Sequence, residues 1–292
     1  MTESVTTQAT TSAPTSAPVA PASLLRRVFT LRENPPPLVK RAVGLAGVGL
    51  AVLVWFLVTF GSTAETRLVS PVVLPSPGEV LRSIPTLFTE RALVASTAAT
   101  LRRVITGFGL AIVVGVPLGI LAGAYRIFDA FTGPISVFLR NIPVAVLIPL
   151  TILWFGIDET QKVMFIFIAT APFVFFDATR AVASVHDRYV ETAQTLGASP
   201  AQVVLKVLIP LAMPDIYNSL RSLFGLAFGY IMLAELVNAE HGLGYLLMSS
   251  QRRGLTEHIF AILIVIGLLA YGIDRLLYWF QRGLFPYRTE ED

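Results

Sequence analysis

Val104 to Tyr125 reads VITGFGLAIVVGVPLGILAGAY, 22 residues without a single charge. At 1.5 Å of rise per residue such a helix reaches about 33 Å, and the hydrocarbon core of a bilayer is about 30 Å thick. The stretch predicts a membrane-spanning helix. Working outward, Ala42 to Ala64 is a second uncharged run, of 23 residues. Asn141 to Ile157 is uncharged too, with Pro143 and Pro149 placed to kink it or break its ends. Val163 to Phe176 continues weakly to Ala183, and Ile216 to Ala239 carries only Arg221 and Glu235. His258 to Ile273 extends past Asp274 to Phe280. About six transmembrane helices are expected, in an all-α integral membrane protein.

Composition points the same way. Hydrophobic residues make up 54% of the chain and charged residues 14%, against about 25% charged in an ordinary soluble domain. So few charges could hardly clothe a water-facing surface, whereas lipid requires none. The 292 residues include no cysteine, which excludes disulfides, thiolate metal sites and a cysteine nucleophile. His186, His241 and His258 are too scattered for a metal cluster, so no metal site is expected. The net charge of +3 suits cytoplasmic basic loops and gives no reason to expect a nucleic-acid partner.

Residues 1–22, MTESVTTQATTSAPTSAPVAPA, are almost all Thr, Ser, Ala and Pro, which predicts a disordered tail. They lack the basic and apolar regions of a signal peptide. Arg26, Arg27, Arg32, Lys40 and Arg41 follow, interrupted by Pro35-Pro36-Pro37. Positive charge ahead of the first apolar run places the N-terminus in the cytoplasm, and six spans return the C-terminus to the same side. The expected organisation is a tail and basic segment at 1–41, a first span at 42–64, a core at 65–285 and a cytoplasmic tail at 286–292.

The connection between the fourth and fifth spans, Val185 to Pro210, reads VHDRYVETAQTLGASPAQVVLKVLIP. Asp187 can cap a helix on which Tyr189, Ala193 and Leu196 share a face. Gly197 supplies a left-handed stop, and Ser199 with Pro200 opens a second helix. Pro210 and Pro214 mark re-entry into the membrane. A helix–turn–helix standing on the cytoplasmic face is expected.

Glu191-Thr-Ala193, then Gly197 six residues after the glutamate, then Ile209-Pro210, resemble the EAA loop of permease subunits of binding-protein-dependent ABC importers. Further matches follow in order: Leu74-Pro-Ser-Pro77, Leu101-Arg-Arg-Val-Ile-Thr-Gly107, Gly115-Val-Pro117-Leu-Gly119, Pro149 to Gly156, Ala234-Glu-Leu236 and Gly242-Leu-Gly-Tyr245. Together they resemble the branch serving nitrate, bicarbonate, taurine and aliphatic sulfonates. The departures are Thr192 where alanine is usual, Gln194 where a basic residue is common, and Asn141 where a proline-rich pattern is common. Phe228-Gly-Tyr230 also replaces a more usual Trp-containing stretch.

The resemblance implies a type I importer permease fold with a cytoplasmic coupling helix, in a bacterial plasma (inner) membrane. It implies coupling to ATP-binding ABC subunits through Tyr189, Glu191, Thr192, Ala193, Leu196, Gly197, Ser199 and Pro210. It also implies a second permease copy as homodimer partner, an extracytoplasmic solute-binding protein, and ATP with Mg on the partner subunits. No cofactor is expected in this chain, and no catalysis. The residues agree: no G-x-x-x-x-G-K-[ST] loop, nor any Gly-Lys pair, occurs.

Polar groups in the spans or near membrane depth are the candidates for a pathway or gate. They are Arg140, Asn141, Asn218, Tyr230, Glu235 and Asn238. The asparagines read equally as helix–helix hydrogen bonds, and Glu235 as either a gate residue or the partner of a basic neighbour. Asp274 and Arg275 are expected to reach the interface by snorkelling. Gly107, Gly109, Gly115, Gly119 and Gly123 read as close helix packing. An ion-coupled secondary carrier is the rival function, although no clear internal repeat is present.

Overall fold

The computed structural model describes residues 36–61, 67–237 and 239–286. The expected N-terminal tail, its basic continuation to Arg32, residues 287–292 and the candidate Asn238 lie outside the described residues. The chain divides into two units, Met1–Leu57 and Val58–Asp292.

The helix of the first unit is α1 (Pro37–Val58), which begins five residues ahead of the expected span. A proline is suited to the first position of a helix, where its missing N–H would be unpaired anyway.

The second unit contains α2 (Pro77–Thr89), α3 (Leu93–Ala124), α4 (Arg126–Arg140), α5 (Leu147–Phe155) and α6 (Glu159–Ala183). After these come α7 (Asp187–Thr195), α8 (Pro200–Val203), α9 (Ile209–Glu235), α10 (Leu243–Arg252) and α11 (Thr256–Leu284). Among the described residues five helices are long and apolar enough to cross a membrane. The pair Arg126–Arg140 and Val144–Phe155, bent by 85°, makes a sixth when its arms are taken as one span. The third expected span thus starts earlier than Asn141. Arg126, Asp129 and Arg140 hide α4 from a hydropathy reading, and Pro143 sets the bend by removing a donor and restricting the residue before it.

Helix α3 lies against α6 along a stripe of glycines. A Cβ at Gly107 would stand 2.6 Å from the Val163 carbonyl, and one at Gly119 would stand 2.6 Å from both Ala178 Cβ and the Phe175 carbonyl. Gly123 meets the Thr179 carbonyl at 2.6 Å and Gly115 meets Val174 at 2.9 Å. Gly109 falls off the stripe and faces open space. Packing between backbones is what small residues give membrane helices, where no hydrophobic effect drives association. Helix α9 adds Phe224, whose ring meets Phe108 of α3 edge to face at 5.7 Å.

Arg221 of α9 donates from Nε to Asp274 Oδ1 of α11 at 2.6 Å and from Nη1 to Gln281 at 3.1 Å. Asp274 is therefore an interhelical partner and not only an interfacial charge. On the outward faces Leu268 and Trp279 of α11 and Val113 of α3 stay more than half exposed, as side chains facing lipid should.

Two helices outside the spans were not anticipated. One, α10, follows the Gly-Leu-Gly motif. The other, α2, opens on a reciprocal cap: Glu79 N–H donates to Ser76 Oγ at 3.3 Å and Ser76 N–H to Glu79 Oε2 at 2.8 Å. Arg67 adds a two-pronged contact to the same carboxylate at 2.9 and 3.1 Å. The Arg67 guanidinium, then the Ser76 amide, hold the Glu79 carboxyl down to about 2. A folded-state pKa below the unfolded value of about 4.3 contributes stability that is present above that value and lost as pH falls through about 2. Glu79→Gln should therefore flatten the acid limb of a thermal-stability profile in detergent; an unchanged limb would remove Glu79 from the acid response.

Candidate functional site

The loop between α6 and α9 forms the expected first helix, with the cap displaced by one residue. The expected second helix is not separate: Pro200 to Glu235 is one helical stretch through a π turn, with Pro214 inside it. His186 occupies the cap position of α7 without a side-chain bond, and Asp187 enters the first turn, where its charge suits the helix dipole. The C-terminal end is a Schellman closure: Gly197 N–H donates to the Gln194 carbonyl at 2.9 Å and Ala198 N–H to the Ala193 carbonyl at 3.0 Å. Gly197 has φ +82°, and its missing Cβ would touch nothing within 4 Å. The glycine is required by conformation and not by space. Ser199 then caps α8 reciprocally with Gln202 and Pro200 begins it. The π turn Val204–Leu208 precedes Pro210, which cannot donate to the Lys206 carbonyl in an ordinary turn.

This loop has two faces. Val190, Ala193 and Ala198 pack against a cluster of Ala178, Ala181, Val182, Val203, Leu208, Ala212 and Ile216. Tyr189, Glu191, Thr192, Leu196, Gly197 and Ser199 are exposed, Leu196 at 83%. Ala193 thus turns inward, away from Tyr189 and Leu196, with which sequence spacing had grouped it. An isolated nine-residue helix is marginal in water; here the apolar inner face holds it to the bundle while a ridge of Tyr189, Glu191, Thr192 and Leu196 faces outward.

The ends of α3 and α6 and the start of α4 meet α7 around a cavity of about 590 Å³, lined by Tyr125, Asp129, Thr179, Asp187, Val190 and Gln194 among others. At the opposite end of these helices lies a buried ionic cluster. Arg103 of α3 donates from Nη1 to Glu235 Oε1 of α9 and to the His241 carbonyl, both at 2.7 Å. Its Nε donates to Glu159 Oε2 of α6 at 2.8 Å, and its Nη2 reaches Glu159 Oε1. The Thr100 hydroxyl meets the Glu235 carboxylate at 2.8 Å and accepts from Leu243 N–H at 3.0 Å. Gly244 N–H donates to Glu235 Oε2 at 2.9 Å.

The side chains of Arg103 and Glu235 are 3% and 0% exposed. Burial of that degree is tolerable only because the charges meet and their remaining lone pairs and protons are bonded. The Gly-Leu-Gly motif closes the lid: a Cβ at Gly242 would overlie the Glu235 carboxyl, and one at Gly244 would stand 2.8 Å from Glu235 Cβ. Of the two readings of Glu235, the ion pair is the one observed. Thr100, Arg103 and Glu159 were not singled out from sequence. The available signal was helical phase, because Ser96, Thr100, Arg103, Gly107 and Ala111 form one buried stripe from which Arg102 is excluded.

The other candidates are separate. Arg140 and Asn141 stand at the bend between α4 and α5, where Asn141 Nδ2 donates to the Val137 carbonyl at 2.7 Å. Asn218 is exposed on α9 and Tyr230 half-buried, nearer its far end. No group of three or more His, Asp or Glu that could hold a metal occurs among the described residues.

Comparison with known proteins agrees with this layout. Residues 115–286, more than half of the chain, match the family described as the binding-protein-dependent transport system inner membrane component. A probable ABC transporter permease protein of Brucella melitensis is 36% identical over 240 residues, covering 82% of this chain and 97% of that protein. The taurine transport system permease protein of Escherichia coli is 34% identical over 255 residues, covering 86% and 92%. In fold, a chain of the inward-facing MetNI methionine ABC transporter superposes with a TM-score of 0.59 at 24% identity, over 68% of this chain and 97% of that one. An importer of this kind pairs its permease with ATPase subunits and a solute-binding protein. The chain belongs to the inner-membrane components of binding-protein-dependent transport systems: it is the permease subunit of an ABC importer.

Proposed function

We propose that two copies of this chain enclose the translocation path of an importer for a small anion, and that α7 is the element through which the ATPase subunits drive it. The observation that carries this reading is the two-faced build of α7, with an apolar face fixed to the bundle and an exposed ridge of Tyr189, Glu191, Thr192 and Leu196. ATP binding closes the ATPase dimer, the docked ridges move with it, and rigid-body rotation of the bundles opens the path outward. Hydrolysis and release return it inward. No bond in the solute is made or broken.

The coupling face lies in the cytoplasm and the Arg103–Glu235 cluster toward the outer side, with both termini cytoplasmic. Arg140, Asn141, Asn218 and Tyr230 belong to the path in this reading, and Glu235 positions the outer mouth. Taurine, an alkanesulfonate or bicarbonate is the type of solute favoured by the likeness to permeases named for taurine, aliphatic sulfonates and bicarbonate.

Co-purification with the importer's ATPase subunit tests the coupling. Gly197→Val, strained by about 1–2 kcal/mol in a left-handed turn, should lose the ATPase, whereas Gly197→Asn, which tolerates that turn, should retain it. Glu191→Ala should weaken the association. If all three variants bind the ATPase and transport like wild type, the coupling assignment fails.

A further inference from the structure

The arginines within the spans differ in what they touch. Arg103 has two carboxylates and Arg221 has Asp274 within hydrogen-bond distance. Arg140 has an aromatic ring instead: its guanidinium carbon lies 3.4 Å from the centroid of Phe176 on α6. Its Nε is buried and has no hydrogen-bond partner. Asp177, next along α6, is near enough to feel its charge but forms no ion pair with it within 4.0 Å.

One turn earlier on the same face of α4, Ser136 is 5% exposed and its hydroxyl is also without a partner. That is unusual for a serine inside a helix, which can ordinarily bond back to the carbonyl of the preceding turn. Ser136 borders an apolar cavity of about 310 Å³ between α3, α4 and α6, shared with Val114, Leu118, Pro172 and Phe175.

These features lie well inside the span. Phe176 is seven residues before the end of α6 at Ala183, about 10 Å from its coupling end. A guanidinium offers five donors in a fixed fork and no acceptor. Placing it at membrane depth with a carboxylate only at a distance is costly, so an arginine whose Nε is left without a partner there calls for an anion. A planar or tetrahedral oxoanion fits its forked geometry.

We propose that Arg140 and Ser136 form an anion station on the inner half of the path. The oxoanion head of the solute is held by the guanidinium and the serine hydroxyl, and any short apolar body enters the neighbouring cavity. That cavity is at the lower end of the roughly 300–1,000 Å³ usual for small-molecule pockets, which limits the solute to a few heavy atoms beyond its head group. The bend at Asn141–Pro143 presents the arginine at a break in the helix, where irregular backbone is tolerated beside a polar path. This station rests on the importer reading above and specifies its solute class.

The test is isothermal titration of ethanesulfonate and of taurine into the purified permease–ATPase complex, with uptake by the complete importer measured in parallel. Wild type should bind at least one of the two saturably. Arg140→Gln should weaken binding and raise KM for uptake by about ten-fold or more, since hydrogen bonds to a charged group are lost. Arg140→Lys should fall between them, and Ser136→Ala should cost about three-fold. Co-purification with the ATPase checks that each variant is assembled.

Unchanged KM and affinity in an assembled Arg140→Gln complex would overturn the station and leave the importer standing. So would a variant whose only defect is loss of the permease dimer, because Arg140 would then serve a carboxylate of the second copy. A wild-type complex that imports only neutral or cationic solutes would refute the anion reading itself, and the station with it.

Discussion

Arg103→Met should yield a permease that accumulates poorly and melts far below wild type in detergent. The substitution leaves Glu235 with a side chain 0% exposed and without its counter-charge, and removing one member of a buried pair costs about 3–5 kcal/mol. Glu159 loses its principal partner at the same time, although Arg102 still reaches it at 3.2 Å. Glu235→Gln should be milder, because an amide keeps an acceptor for Gly244 N–H and Arg103 keeps Glu159. The double variant Arg103→Met/Glu235→Leu should recover part of the loss, since a buried pair exchanged for apolar groups is often near neutral. Fluorescence-detected size exclusion after a temperature ramp reads all three. A wild-type melting point for Arg103→Met would show that the cluster does not hold the far end of the bundle together.

Gly119→Leu is the second large effect. Its Cβ alone would come within 2.6 Å of the Ala178 Cβ and the Phe175 carbonyl, and neither can rotate away because both belong to or adjoin backbone. Helices α3 and α6 would have to part along their length, at or beyond the upper end of the about 1–3 kcal/mol usual for overpacking. Gly109→Leu is the matched control on the same helix. Its Cβ would meet nothing within 4 Å, so a change within about 0.5 kcal/mol is expected. The yield of monodisperse protein compares them directly, and equal yields would refute the close approach of the two helices.

The contrast between these glycines indicates what could be read in advance. Length and hydropathy are enough for α3, α6, α9 and α11, since a span reports itself through the absence of charge. They fail for α4, where Arg126, Asp129 and Arg140 break the apolar run although the backbone remains helical. The turn between α7 and α8 was legible because caps and stops are local chemistry: Ser199-Pro200 and Gly197 act through their immediate neighbours. The cluster at Arg103 was not, because it joins Thr100, Glu159, Glu235 and Gly244 from four separate segments. Gly242-Leu-Gly was visible as a motif, but its purpose appears only once Glu235 stands beneath it.

The glycine stripe also decides where the protein is stiff. From Gly107 to Gly123 the two helices touch almost backbone to backbone over about 24 Å. Two rods joined along that length bend together far less readily than either alone, and neither can slide without lifting its neighbour out of a notch. The breaks in regular helix lie elsewhere, at the 85° bend between α4 and α5 and at the π turn before α9. In the coupling proposed above, a push on the ridge of α7 would tilt these two helices as one beam, whose far arm carries Arg103 and Glu159.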